Sequence, residues 1–446
     1  MKARIPRANE PFHQTLNPNQ DVTVFSGQIE VIYPDGFWIE GDGKILFRWL
    51  PNPSLRFEVV LPLHDFGKLR LSDVSLDLPE TDITGLNGAV SSISPSSSSM
   101  EVFVTGVLQD DLSMPDPVIE LKELAFDVPN YHRYLGDPVE RGEHYWRGRL
   151  TLEADPWIID IDATSDAGER IKAVRSAGGY VITHAGSLRR KDGSSFCSAD
   201  TSEIRNVVSM WLALTRGFWC SPLFWHCRPD GWVHFSVPRL SRWRGVRSWF
   251  PYEECGCALA IFPELSKLLA DPIWKDPMRL AIYWYIHANE NSAGDEGSIM
   301  LIQAALEMLA WTYLVEHKCV LNKRRWDKLN GAAARLEKLL IELEIPIDFP
   351  SAECPSLHEW SESNGKDGSG ISVIVAIRNA FVHPEGSNLE MALGVPSCAK
   401  MEARTLSLLY LEIIILSLLE YDGPIYSRLQ NGHPSEVRVE KPWVVA

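Results

Sequence analysis

Hydrophobic and polar positions alternate through most of residues 1–130, a spacing typical of strands that bury one face. DVTVFSGQIEVIY, FWIEGDGKILFRWL and LRFEVVLPL are the clearest examples, and they are rich in β-branched and aromatic residues. Pro, Gly, Asn and Asp separate them at short intervals. The serine-rich stretch 91–99 is polar and is predicted to be an exposed loop between strands. Residues 1–145 are therefore predicted to form a β-rich N-terminal domain.

Residues 146–261 mix two kinds of pattern. YWRGRLTLEA and PWIIDIDAT alternate as strands do, whereas residues 202–215 have the apolar spacing of a helix. WCSPLFWHC and GWVHFSV then return to the strand pattern. We assign this stretch as a mixed α/β second part of the N-terminal region.

Apolar residues change to a three- and four-residue spacing near residue 262, which is typical of amphipathic helices. Pro, Gly and Asn/Ser clusters separate the segments, and SESNGKDGSG is the clearest break. The segments with this spacing are IFPELSKLLA, PMRLAIYWYIHAN, SIMLIQAALEMLAWTYLVEHK, AAARLEKLLIELEI, SGISVIVAIRNAFVH and KMEARTLSLLYLEIIILSLLEY.

The pattern as a whole predicts an α+β protein, with the β-rich region followed by an all-α bundle over residues 262–422. Residues 423–446 are predicted to be a polar C-terminal tail. The most apolar run, residues 406–419, is shorter than the roughly 20 residues that span a bilayer, and it contains Glu412. We therefore expect a buried helix there.

Charge and cysteine content narrow the classes of function. A net charge of −16 argues against a protein that coats nucleic acid, so any nucleic-acid activity must come from a local site. The N-terminal sequence MKARIPRANEPFHQ has no apolar stretch, and we expect a cytoplasmic protein without a membrane anchor. Eight cysteines show no disulfide framework, which fits a reducing compartment.

One group of cysteines raises the question of a metal. Cys255 and Cys257 follow Cys220 and Cys227, with His226 nearby. Their spacing matches neither a pair of C-x-x-C knuckles nor a Cys/His finger. We expect buried free thiols, and no metal or cofactor; a zinc site is the alternative.

The helix ISVIVAIRNAFVHP ends with the motif that we single out, in which Arg378 is followed by Asn379 and then by His383. Pairs at this spacing arise by chance in a chain of this composition. Here, however, the pair lies on a helix, with asparagine directly after the arginine and Pro384 ending the helix. Two other pairs fall in segments broken by Gly, Pro or Asn: Arg228…His234 and Arg428…His433.

Helical geometry separates the motif from the core. At ~100° per residue, Ile374, Ile377 and Phe381 share the core-facing side of the helix. Asn379 and His383 are four residues apart and lie nearly opposite that side, with Arg378 on the flank between. The alternative is a group of solvated residues near a helix C-terminus, where basic side chains suit the helix dipole.

The motif and its surroundings resemble the HEPN superfamily, and within it the Apea-like HEPN proteins of bacteria, many of which are linked to abortive phage defence. Arg378, Asn379 and His383 match the R-N-x-x-x-H signature of that family. The earlier helix IQAALEMLAWTYL is of the expected type, and its Glu307 matches an acidic residue that some members place near the motif. The resemblance covers residues 150–422 and only loosely residues 1–130.

The resemblance implies a homodimer that cleaves RNA without a metal. His383 would take a proton from a 2′-hydroxyl, Arg378 would stabilise charge on phosphorus, and Asn379 would orient the histidine or contact a phosphate. The products would be a 2′,3′-cyclic phosphate and a 5′-hydroxyl. An enzyme of this kind would act in antiviral defence and would need a trigger, for example a phage product. The β-rich N-terminal region would sense that trigger or restrain the activity. The alternative is a non-catalytic dimer of the same fold that binds RNA or a nucleotide, or serves as a scaffold.

A second candidate site is the most basic and aromatic stretch of the chain, residues 239–250. Interleaved arginine and tryptophan side chains suit single-stranded RNA, because they contact phosphates and stack on bases. The alternative is a surface strand pair with its tryptophans turned inward. The predicted RNA-binding residues are Arg239, Arg242, Trp243, Arg244 and Arg247.

Overall fold

The computed structural model describes residues 5–13, 17–81, 83–97, 99–114, 120–227, 233–366, 368–383, 386–430 and 438–439. The chain forms two compact units. The first comprises Met1–Val208 and Cys220–Arg244, and the second comprises Ser209–Trp219 and Gly245–Ala446.

Six antiparallel strands of the first unit close into a barrel, in the order β1–β2–β3–β6–β5–β4. Strand β3 illustrates how the alternating pattern forms the barrel core, because every second residue is buried there: Leu55, Phe57, Val59 and Leu61. The strands are β1 (Val22–Ile32), β2 (Trp38–Arg48), β3 (Ser54–Pro62), β4 (Asp73–Leu78), β5 (Ile83–Pro95) and β6 (Glu101–Leu108).

The predicted loop at residues 91–99 is wrong for its first half. Residues 91–95 belong to β5 and pair with β6 as far as Pro95, which faces Val102. Pairing with β6 satisfies the backbone, and the small polar side chains of this stretch face mostly outward, so low hydrophobicity does not prevent a strand here.

An eight-stranded antiparallel sheet makes up most of the rest of the first unit, in the order β7–β14–β13–β8–β12–β11–β10–β9. Helix α1 (Ala167–Ala177) lies between β11 and β12 in the chain. The strands are β7 (Leu112–Met114), β8 (Leu124–Pro129), β9 (Asp137–Arg141), β10 (His144–Ala154), β11 (Trp157–Ala163), β12 (Ile182–Arg190), β13 (Leu223–His226) and β14 (Val233–Phe235).

The residues of helix α2 (Ser202–Arg216) divide between the two units. The last part of α2 is held within the second unit. There the Trp249 indole N–H donates to the Leu214 carbonyl at 3.1 Å, and the Ser248 hydroxyl donates to the Thr215 carbonyl at 2.5 Å. Asn289 donates to the carbonyl of Gly217 at 2.8 Å. Residues 209–219 are thus tied to residues that follow them by more than thirty positions.

The second unit is otherwise helical, apart from a short pair of strands, β15 (Ile425–Tyr426) and β16 (Arg438–Val439). Helix α6 continues into a π-helical turn, Thr312–His317. The helices are α3 (Gly256–Leu259), α4 (Ile261–Ala270), α5 (Lys275–Asn289), α6 (Gly294–Trp311), α7 (Lys323–Lys328), α8 (Gly331–Glu342), α9 (Pro355–Ser363), α10 (Gly370–Val382), α11 (Ser387–Gly394) and α12 (Ser397–Leu418).

The structure confirms the α+β class, with a β-rich N-terminal region followed by a helical C-terminal region. It also confirms that the apolar run at residues 406–419 is a buried helix, since its residues from Leu406 to Leu416 are all buried within α12. Within the described residues, one helix, Gly294–His317, is long and apolar enough to cross a membrane, and 56% of its apolar stretch is buried inside the protein, as in a core helix.

The described part of the predicted tail packs into the second unit. Arg428 is 7% exposed and donates to both carboxylate oxygens of the fully buried Glu412, each at 2.6 Å. It also donates to Asn289 Oδ1 at 2.9 Å, and Tyr285 donates its hydroxyl proton to Glu412 at 2.6 Å. This network accounts for the carboxylate inside the apolar helix α12, because a buried charge needs a partner and hydrogen bonds.

Candidate functional site

Helix α10 carries the predicted motif at its C-terminal end. The helix starts at the Ser369 side chain, which caps it by accepting a hydrogen bond from the Ser372 N–H at 3.1 Å. Ile374 and Ile377 are buried as predicted, whereas Phe381, expected on the same face, is only partly buried. It ends at Val382, and the N–H of His383 donates to the Asn379 carbonyl at 3.0 Å. Pro384 lies outside the described residues.

The structure brings Glu307, Arg378 and Asn379 together. Arg378 Nη1 donates to Asn379 Oδ1 at 3.0 Å, and Arg378 Nη2 lies 4.0 Å from Glu307 Oε1. The side chains of Arg378 and Glu307 are 27% and 31% exposed, so the pair lies at the rim of the helical core. This contact gives Asn379 a part in positioning the arginine, and its predicted roles toward His383 or a phosphate stay predictions.

Gln303 belongs to this cluster, although the sequence pattern did not lead us to predict it. It is fully buried on α6 and donates its amide N–H to Glu307 Oε1 at 3.0 Å. The contact between Gln303 and Glu307 could have been predicted from the sequence, because residues four apart on a helix are neighbours and a glutamine inside an apolar helix needs a polar partner. Gln303 fixes the carboxylate that faces Arg378.

His383 completes the motif from the end of the helix. It is exposed, and its imidazole makes no hydrogen bond or ion pair with any residue that the structure describes. An accessible imidazole can exchange protons with a ligand, while a held guanidinium can stabilise an anion. The arrangement suits chemistry on a phosphate group, with separate roles for the two side chains.

The arginine–tryptophan segment does not form the strand pair that we considered as an alternative. Residues 241–248 have no regular secondary structure. Arg242 donates to the Pro51 carbonyl, and Trp243 is partly buried with its ring 5.8 Å from the Arg175 guanidinium. Arg239 and Arg244 are exposed.

The division into units separates the predicted RNA-binding residues. Arg239, Arg242, Trp243 and Arg244 belong to the first unit, whereas Arg247 belongs to the second. There Arg247 donates to the backbone carbonyls of Arg428 and Gln430, at 3.2 and 3.1 Å. Its described contacts are those of a residue that anchors the C-terminal segment.

The cysteines considered for a zinc site are also divided, with Cys220 and Cys227 in the first unit and Cys255 and Cys257 in the second. Cys220 and Cys255 are buried as expected, whereas Cys227 is only partly buried and Cys257 is exposed. Across the part of the chain that the structure describes, no group of three or more His, Cys, Asp or Glu residues is arranged to hold a metal ion.

Comparison with known proteins identifies relatives of a different kind from those expected. Residues 116–246 match the family model described as the YopA central domain, and residues 271–440 match that described as the YopA C-terminal domain. The chain is 27% identical over 441 residues to the SPbeta prophage-derived uncharacterized protein YopA of Bacillus subtilis (strain 168), with 95% of each chain covered. No solved structure matches.

These matches overturn the resemblance to the HEPN superfamily, because no HEPN family is detected and the matched models are those of YopA. The physical reason is that three polar side chains at the end of a buried helix are a short motif. Basic residues favour helix C-termini in any helical domain, so the motif does not define one family.

Proposed function

We propose that the second unit is a metal-independent endoribonuclease whose site lies at the end of α10. The observation that carries the proposal is that the motif combines a guanidinium held by neighbouring side chains with an imidazole exposed to solvent. Arg378 is fixed by Asn379 and faces Glu307, while His383 follows at the helix end and is exposed. The proposal rests on these side chains and not on membership of a family.

Each side chain has a distinct task in the proposed reaction. His383 takes the proton of a 2′-hydroxyl, which then attacks the adjacent phosphorus. Arg378 stabilises the extra negative charge, and Glu307 with Asn379 keeps its guanidinium in position. The 5′-oxygen leaves with a proton, so the products are a 2′,3′-cyclic phosphate and a 5′-hydroxyl.

We propose that the enzyme works as a homodimer. Each chain supplies one His383, which acts as the base, and the departing 5′-oxygen needs a second proton-transfer group. A second copy of the chain offers that group in its own His383. For RNA capture we propose the exposed arginines of the first unit, Arg239 and Arg244, with Arg242 and Trp243.

The Bacillus subtilis relative is described as SPbeta prophage-derived. On that basis we propose that this chain acts in conflict between phages and bacteria, as an antiviral toxin of the abortive-infection type in the cytoplasm. An uncontrolled ribonuclease would harm its own cell, so a trigger such as a phage product would release the activity.

The test is cleavage of total cellular RNA by the purified full chain in EDTA, followed by analysis of the fragment ends. Cleavage should survive chelation and leave cyclic phosphates. His383→Ala should lower the rate by about 10²-fold or more, because a general base contributes at least that much. Arg378→Ala should have a similar effect.

Matched controls separate chemistry from folding. His358→Ala removes a partly exposed histidine from α9, and Arg279→Ala removes an arginine that pairs with Asp276 on α5. Both should cleave at the wild-type rate. Full cleavage by folded His383→Ala would refute the site. So would a wild-type chain that stays silent both alone and in extracts of phage-infected cells.

The second candidate function is a non-catalytic RNA-binding or scaffold module. One observation favours it: the contacts of Arg378 with Glu307 and Asn379 are also those of a structural ion pair between α6 and α10. This function predicts that Arg378→Ala lowers the stability of the second unit, while His383→Ala changes neither stability nor RNA binding.

A further inference from the structure

A row of polar and aromatic side chains crosses three neighbouring strands of the sheet in the first unit. Trp225 on β13 pairs with His234 on β14, and His234 pairs with Ser113 on the edge strand β7. Directly paired residues place their side chains on the same face of a sheet. The hydroxyl and the imidazole therefore meet, at 2.6 Å between Ser113 Oγ and His234 Nδ1.

A carboxylate lies on the other side of the imidazole. Asp111, two residues before Ser113, has Oδ2 3.7 Å from His234 Nε2. The carboxylate favours the tautomer with a proton on Nε2, and Nδ1 can then accept the serine proton. The order hydroxyl, imidazole, carboxylate is the one that activates a serine as a nucleophile.

A cation stands beside the same row. Arg205 on α2 covers the Trp225 ring, with the guanidinium 4.7 Å from the ring centroid. Its charge acts on both Asp111 and His234. Burial, together with that charge, lowers the pKa of His234 to about 4, so the imidazole is neutral near pH 7.

We propose that Ser113 is a nucleophile activated by His234 and Asp111, with Arg205 stabilising the oxyanion, and that it takes short-chain carboxylic esters. Short acyl groups are expected because Arg205 already covers the aromatic wall of the row, Trp225. This proposal is independent of RNA cleavage, since all four residues belong to the first unit and the proposed cleavage site belongs to the second.

The reaction has two steps. The Ser113 oxygen bonds to the carbonyl carbon while its proton moves to His234, and the ester C–O bond breaks as the alcohol leaves with that proton. Water then attacks the acyl group, gives a proton to His234 and releases the acid, and the proton returns to the Ser113 oxygen. The enzyme is unchanged at the end, and no oxidant or metal is needed.

The test is labelling of the full chain with a fluorophosphonate, followed by mass spectrometry of the peptides. The Ser113 oxygen should bond to phosphorus and displace fluoride, and His234→Gln should slow labelling by about 10²-fold. Asp111→Asn, a change at an exposed residue, should slow it less. Hydrolysis of p-nitrophenyl acetate should follow the same order.

Ser194→Ala is the matched control, because Ser194 is a partly exposed serine of the same unit whose hydroxyl donates to Asp192 at 2.7 Å without a histidine. It should label at the wild-type rate. The proposal is overturned if Ser113 of the folded wild type is not labelled, or if labelling is unchanged in His234→Gln. Either result would make the row a structural cross-strand contact, and neither would bear on RNA cleavage.

Discussion

Two buried polar groups, one in each unit, differ in how the core accommodates them. The second unit buries a full ion pair, in which Arg428 and Glu412 meet with Tyr285 and Asn289 around them. The first unit buries a histidine in the neutral state. His184 is fully buried between Tyr131 and Tyr134, with ring centroids at 5.3 and 5.2 Å, and burial lowers its pKa to about 3.

The difference teaches what each unit depends on. A buried ion pair of arginine and glutamate fails when one partner is removed, because the other charge is left buried and uncompensated. A neutral buried histidine is tolerated near pH 7. In acid it lowers the free energy of unfolding, because the unfolded chain binds the proton more readily than the folded protein does. The units should therefore respond to different perturbations.

Removal of Arg428 should have the largest effect on stability. Arg428→Met leaves Glu412 buried without its charge partner, and we expect a loss of about 3–5 kcal/mol in the free energy of unfolding of the second unit. Urea unfolding followed by hydrogen exchange of peptides from each unit would measure it. The peptides of the first unit should keep their midpoint.

The double variant Arg428→Met with Glu412→Leu should recover most of that loss, because it removes both charges together. Arg279→Ala breaks an exposed ion pair with Asp276 and should change little. A single variant as stable as the wild type would show that the C-terminal segment does not hold the second unit together.

Acid should weaken the first unit selectively. The pKa of His184 lies at about 3 in the folded protein, below its ordinary value of 6.5. Its contribution to stability is therefore complete above pH 6.5 and is lost as the pH falls toward 3. Between pH 7 and pH 5 we expect a loss of about 2 kcal/mol from this residue.

Urea midpoints at pH 7 and pH 5, read from peptides of each unit, would test this expectation. His184→Gln cannot take up the proton and should show a smaller decrease with pH, whatever its stability at pH 7. An identical decrease in the wild type and the variant would assign the acid sensitivity to other groups.

The smallest expected effect is on RNA binding, which compares the two units by function and not by stability. Arg242→Ala with Arg244→Ala should weaken binding of single-stranded RNA. The log–log dependence of binding on salt should become shallower by about one for each phosphate that the variant no longer neutralises. Lys172→Ala removes an exposed lysine of α1 and is the control. Equal binding by both variants would place RNA capture elsewhere.

Periodicity alone was sufficient for the coarse architecture. The alternating residues of β3 and the apolar face of α10 could be assigned because burial of one face leaves a regular pattern. The closed barrel could not be predicted, because strand order depends on pairings that a single strand does not specify. The strand at residues 91–95 was missed since its backbone pairing is independent of its polar composition.

The candidate sites show the same limit. The grouping of Arg378 with Asn379 could be predicted because both lie at the end of one helix, but the hydrogen bond between their side chains was not predicted. The meeting of Ser113 with His234 joins residues 121 positions apart through the register of two short strands. Sequence patterns carry periodicity along the chain, but they do not state which residues of distant strands face each other.

The division of the chain into units has a consequence for synthesis and for the design of fragments. Residues 209–219 are synthesised between the two segments of the first unit, whereas their partners Trp249 and Asn289 are synthesised later. A fragment that starts at residue 245 would lack residues 209–219, and a fragment that ends at residue 244 would contain these residues without their partners. The shortest single stretch that contains the whole second unit begins at Ser209 and therefore carries Cys220–Arg244 of the first unit with it.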